Sequence, residues 1–153
     1  MNKDEYIKLL EKRVEEYEAA IADMTAPIIP SIIPQTILVP ITGLLMAERF
    51  EKITAKILNH IKDHDTEFAI IDFTDITVDR LEQMCLSELG EQIRSLTDSI
   101  NLMGVKPYFV GMTPQLIKEI ILSGIELNAE THANFQAALK HLMKIHNLVF
   151  QKN

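Results

Sequence analysis

The sequence predicts an α/β fold, and three observations carry the prediction. From Ile37 to Ile125 the pattern alternates strand, helix, strand, helix, strand, helix. The run FAIIDF, from Phe68 to Phe73, is almost continuously apolar, the mark of a strand covered on both faces of a parallel or mixed sheet. Between such runs the apolar residues recur at helical spacing, so each intervening helix has one face to bury.

Residues 2–24 read as a regular helix. Ile7, Leu10, Val14, Tyr17, Ile21 and Met24 repeat in alternating steps of three and four, with Glu, Lys and Arg at most other positions. That is an a/d seam, as a two-stranded coiled coil or a helix laid on a partner requires; the plainer reading is an amphipathic helix folded back on its own domain. Pro27, Pro30 and Pro34 end it, since each ring lacks an N–H and pushes the preceding residue toward extended geometry. A first strand is expected around 28–33, at an edge where proline is tolerated. Thr36 to Ile41 (TILVPI) forms a second strand, and Phe50, Ile53, Ile57 and Ile61 define a helix from Ala47 to about Lys62. After FAIIDF, the stripe Leu81, Cys85, Leu89, Ile93, Leu96, Ile100 and Met103 predicts one long helix stopped by Gly104. Pro107 to Gly111 is a further strand. Pro114 opens a short helix that Gly124 closes. A last helix is expected from Thr131 to His146, with Phe135, Ala138, Leu142 and Ile145 inward.

Composition bounds the function. The chain has 153 residues, 47% hydrophobic and 24% charged, which suits one globular domain. Its formal charge of −7 argues against nucleic acid, whose phosphates are bound by Lys and Arg. Cys85 is the only cysteine, which excludes disulfide scaffolds and Cys-based zinc sites and suits a reducing compartment. The polar opening Asn2, Lys3, Asp4, Glu5 is not a signal core, and no run approaches the ~20 apolar residues that span a bilayer. A cytoplasmic protein that does not engage membranes is expected.

Three motifs, in order, then match a known pattern. VPITGLLMAERFEKITAKILNHI, FAIIDFTDITVD and INLMGVKPYFVGMTPQLIKEIILSGIEL together resemble the STAS domain of anti-sigma-factor antagonists, over about residues 27–127. Within that family the chain looks most like the regulator of sigma-B R and S types, the bacterial stressosome scaffolds. The resemblance implies a mixed four- to five-stranded sheet with helices mainly on one face, preceded by the N-terminal helix. It further implies no catalytic activity, no cofactor, and function by docking to a second copy, to other STAS proteins and to a switch-type serine/threonine kinase or anti-sigma factor. On this reading residues 2–24 are a linker or dimerisation helix and 27–150 the STAS domain. The segment ending ADMTAPIIP resembles the linker that follows a sensory domain in the R type; the sequence opens at that helix, so no folded sensory module is expected.

Relatives are phosphorylated on a Ser or Thr at the start of the helix after the third strand, where the added charge remodels a partner contact. Two alignments place that position differently. Counting rightward from IIDFT puts the acceptor pair at Asp79-Arg80, with an arginine that cannot be phosphorylated; counting leftward from INLMGV puts it at Leu86-Ser87. About six or seven extra residues separate the anchors. Seven are close to two helical turns, so an unbroken stripe from Leu81 to Met103 favours Arg80 and leaves Ser87 as a helix-surface serine. A second acceptor of the R type falls on Glu119, a fixed negative charge. The implied protein is a divergent scaffold that has lost one or both phosphorylation inputs.

Other candidates have simpler explanations beside them. His60 and His64, with Asp63, have a zinc-compatible i,i+4 spacing but also suit a solvated helix end. Asp72, Thr74 and Asp75 sit where doubly wound folds bind ligands, the basis of an alternative reading as a nucleotide or metabolite sensor; a turn and cap cluster explains them as well. No glycine pattern forms a phosphate cradle, and Ser87 has no neighbouring His or Lys to activate it. Met84 and Cys85 read as core or near-core residues.

Overall fold

A computed structural model describes residues 2–23, 26–81 and 84–149. A long helix, α1 (Lys3–Asp23), comes first. Five strands and four further helices follow: β1 (Ile29–Pro30), β2 (Thr36–Pro40), α2 (Ala47–Asp63), β3 (Phe68–Asp72), α3 (Leu86–Leu102), β4 (Lys106–Val110), α4 (Pro114–Leu122), β5 (Glu130–His132) and α5 (Phe135–Ile145). The sheet order is β1-β2-β3-β4-β5, with β1 antiparallel to β2 and every other pair parallel.

Both faces of the sheet are covered, as the apolar run in β3 requires. Ala69 and Ile71 join Ile37, Val39 and Phe109 in a large core with the inward rows of α2, α3 and α4, such as Phe50, Ile53, Ile57, Leu89, Ile93, Leu96, Leu116 and Ile120. Phe68 and Ile70 point the other way, joining Tyr108 and Val110 against Ala138 and Leu142 of α5. The period-2 alternation of a strand thus divides one apolar run between two cores. Three helices lie on one face and α5 on the other.

Several boundaries differ from the sequence expectations. β1 is only two residues long, because Pro30 and Pro34 remove ladder donors; Ile33 is buried beyond it. The long helix does not begin at Leu81. A 3-10 turn (Val78–Arg80) precedes it, Leu81 forms an isolated parallel bridge with Leu45, and α3 starts only at Leu86, with Cys85 as its N-cap. Met84 is buried as expected, but Cys85 is exposed, not core. Thr131 and His132 belong to β5, so the last helix begins four residues later than predicted, and Ile145 is exposed instead of inward.

The N-terminal helix is well started. Asn2 Oδ1 accepts a hydrogen bond from Glu5 N at 2.8 Å, and Glu5 Oε2 accepts one from Asn2 N at 3.3 Å, a reciprocal capping box. Its seam faces solvent: Ile7, Leu10, Val14, Tyr17 and Ile21 are 42–65% exposed. The helix is therefore not folded onto the domain along this row. Met24, the sixth seam position, lies outside the described residues.

Candidate functional site

The segment between β3 and α3 is where the two readings of the acceptor position part. Its first half is a tight turn. Asp72 Oδ1 accepts from Thr74 N at 2.8 Å and from the Thr74 hydroxyl, an Asx turn that the chain makes with itself. Asp75 Oδ2 accepts from Gly43 N at 2.9 Å and pairs with Arg80 at 3.5 Å. All three residues of the proposed ligand mouth are thus engaged in turns and loop ties, which supports the cap reading over the nucleotide or metabolite sensor.

The helix is not extended toward Arg80: Val78–Arg80 form a 3-10 turn and α3 begins only at Leu86. Buried Ile76 and Met84 anchor the segment that holds the 3-10 turn, and Leu45 N donates to Arg80 O at 2.7 Å, tying the loop to the one after β2. That neighbouring loop is braced in turn by Arg49, 6% exposed, whose Nη1 donates to Leu44 O at 2.8 Å. Burial lowers the pKa of this guanidinium from its ordinary value.

The start of α3 at Leu86 sets the surroundings of the two candidate positions apart. Ser87 is the second residue of α3 and is exposed; its Oγ lies 3.0 Å from Cys85 Sγ. Asp79 and Arg80 instead lie in the 3-10 turn, six residues ahead of the helix in the case of Arg80, with Arg80 held by Asp75. The expectation that the helix runs unbroken through Arg80 is corrected, and Ser87 lies on the exposed surface at the start of the helix. At a helix start, free backbone N–H groups and the macrodipole favour negative charge. Glu119 is half-buried in the middle of α4, a helix capped by Thr113 Oγ1, which accepts from Leu116 N at 3.2 Å.

The histidines also redistribute. His60 and His64 stack with ring centroids 4.0 Å apart, and His64 Nδ1 lies 3.0 Å from the His60 carbonyl oxygen. Burial, then the neighbouring His64, lowers the pKa of His60 against the opposing pull of Asp63. Among the described residues, the carboxylate and imidazole groups that do converge are Glu130, His132 and His141. Sequence reasoning missed this trio because it assigned His132 to a helix; the signal was the i,i+2 pair Glu130 and His132, which a strand places on one face.

No protein-family model matches the chain. In sequence it is similar to the RsbT co-antagonist protein RsbRA of Bacillus subtilis, 26% identical over 118 residues, or 77% of this chain. The chain spans 40% of that protein's length. In structure it is similar to a serine-to-glutamate variant of Moorella thermoacetica RsbS, with a TM-score of 0.64 and 16% identity over 80% of this chain and 98% of that one. A chain from the molecular architecture of the stressosome gives 0.62 and 17% over 80% and 100%. The unphosphorylated anti-sigma-factor antagonist SpoIIAA gives 0.54 and 14% over 81% and 100%. Fold and sequence similarity together give the chain the STAS fold and a likeness to the anti-sigma-factor antagonists.

Proposed function

We propose that the chain is a non-enzymatic docking module of bacterial stress signalling, acting in the cytoplasm as a STAS-type scaffold. It assembles with further STAS subunits, and a switch-type serine/threonine kinase or anti-sigma factor reads its surface. The domain of residues 27–150 supplies that surface, and the helix of 2–24 joins two copies. Consistent with this, no described helix is long and apolar enough to cross a membrane.

The observation that carries the proposal is Ser87, exposed in the first turn of α3, the helix that follows β3. It is the position to which the leftward count of the STAS resemblance assigns a phosphoacceptor. On this reading the first phosphorylation input is retained at Ser87, while Glu119 stands as a fixed charge at the second. A phosphate there adds roughly −1.5 to −2 charges beside the helix N-terminus, and the partner contact changes by electrostatics alone.

The test is incubation with the switch kinase and STAS partners of the same organism, with ATP. The expected result is a complex by size exclusion whose composition changes when Ser87 carries phosphate. A chain that neither joins the STAS partners nor accepts phosphate on any residue sinks the proposal.

A further inference from the structure

We propose that Glu130, His132 and His141 form a binding site for a transition-metal ion, with Zn2+ the favoured occupant. Glu130 and His132 are two residues apart on β5, and His141 comes from α5, which packs over the same face as Tyr108 and Val110. The three donors converge on one carboxylate oxygen. Glu130 Oε2 lies 3.1 Å from His141 Nε2 and 3.5 Å from His132 Nε2. Ligands on a tetrahedral ion with bonds of 2.0–2.1 Å are separated by about 3.3 Å, which those two distances bracket. All three donor atoms lie within 4.8 Å of one another, so small rotations of the two rings would close the site.

A second observation is independent of that spacing. The Nε2 atoms of both histidines are buried, as is the hydroxyl of Tyr108, and none has an aligned hydrogen-bond partner among the described residues. Buried polar atoms without an aligned hydrogen bond cost free energy; Tyr108 has Lys106 beside it, and the two imidazole nitrogens, which among the described residues face only the Glu130 carboxylate, call for an explanation. A metal ion provides one: it takes the imidazole lone pairs and leaves the fourth coordination position for water, within a cluster that holds the Tyr108 hydroxyl. The rings of His132 and His141 stand 5.7 and 6.0 Å from that of Tyr108.

The surroundings agree with this assignment. Lys106 Nζ lies 3.5 Å from the other carboxylate oxygen, Glu130 Oε1, which orients the group and leaves Oε2 to the ion. Access is through an open groove of about 600 Å³ lined by His132, Lys140, His141, Met143, Lys144 and Leu148. Two imidazoles with one carboxylate suit zinc better than the hard cations, which take oxygen ligands. An ion there would fasten α5 to a three-residue edge strand, a structural role separate from docking at α3.

The experiment uses the full chain, stripped with EDTA and titrated with Zn2+ against a chromophoric chelator at neutral pH. One ion should bind per chain, and Zn2+ at a hundredfold excess over its Kd should raise Tm by about 5 to 10 °C. Co2+ in its place should give the visible absorption of a tetrahedral centre. E130Q, H132Q and H141Q, the first at a half-exposed carboxylate, should each weaken binding by at least about tenfold. The double variant H60Q/H64Q should bind as the parent does. No binding by the parent, or binding that survives H141Q and E130Q but is lost in H60Q/H64Q, overturns the site.

Discussion

Gly111 lies against Thr74 so closely that the two leave no room for a side chain between them. A Cβ at Gly111 would run into the Thr74 hydroxyl and come within 2.7 Å of both Thr74 N and Asp72 Oδ1. Its φ of +70° is also one that L-residues rarely adopt. The left-handed backbone costs a residue with a Cβ about 1–2 kcal/mol, and overpacking adds about 1–3. Gly111→Ala should therefore destabilise the domain by about 2–5 kcal/mol, seen as a lower urea midpoint at unchanged m-value. The Asx turn that positions the start of the β3–α3 loop should loosen with it.

Gly90 predicts the opposite sign. It is buried in the first turns of α3, and an added Cβ would meet Ile120 and Ile125 at 3.4 and 3.5 Å, ordinary packing contact. Glycine in a helix interior is worth about 0.8–1.0 kcal/mol less than alanine. Gly90→Ala should raise stability by roughly 0.5–1 kcal/mol in the same urea titration, because the helix gains and the α3–α4 contact has room.

Sequence pattern and structure part in two places, the start of α3 and the short strand β5. β2, α2, β3, β4 and α4 follow their sequence patterns to within about one residue, since each is long enough for its period to show. Leu81 and Cys85 keep a four-residue phase with Leu89 and Ile93, yet Leu81 is engaged by the bridge to Leu45 and Cys85 is exposed. Periodicity reports that a residue is apolar in phase and is silent on whether the backbone between is helical. The preference for Arg80 over Ser87 as the acceptor position rested on that assumption of an unbroken helix. At the other end, β5 is a three-residue edge strand with neighbours on one side only, too short for alternation to register. The trio Glu130, His132 and His141 was hidden for the same reason.

Ser87 carries the regulatory prediction. Exposed in the first turn of α3, it can accept phosphate without disturbing the core, whose nearest member, Leu89, points inward. Mass spectrometry after treatment with a cognate switch kinase and ATP should find phosphate on Ser87, and S87A should abolish it. S87E should change stability by no more than about 0.5–1 kcal/mol, because a carboxylate at a helix start is favoured by the macrodipole. Phosphate confined to other residues would falsify the assignment of this position.

Leu10 and Val14 test the N-terminal helix. They are 44% and 53% exposed, in a row whose spacing suits a second helix, and isolated helices of about this length are marginal in water. Light scattering on the full chain should give twice 17.4 kDa or a larger multiple. The double variant Leu10→Glu, Val14→Glu places carboxylates in the centre of the seam, where pairing would bury them, and should shift the mass to the monomer. Thermal unfolding separates the outcomes by location. If α1 joins copies, the variant's helical signal near residues 3–23 should fall while the domain built on β2, β3 and β4 keeps its transition. A parent that is monomeric at high concentration excludes α1 as the self-association device.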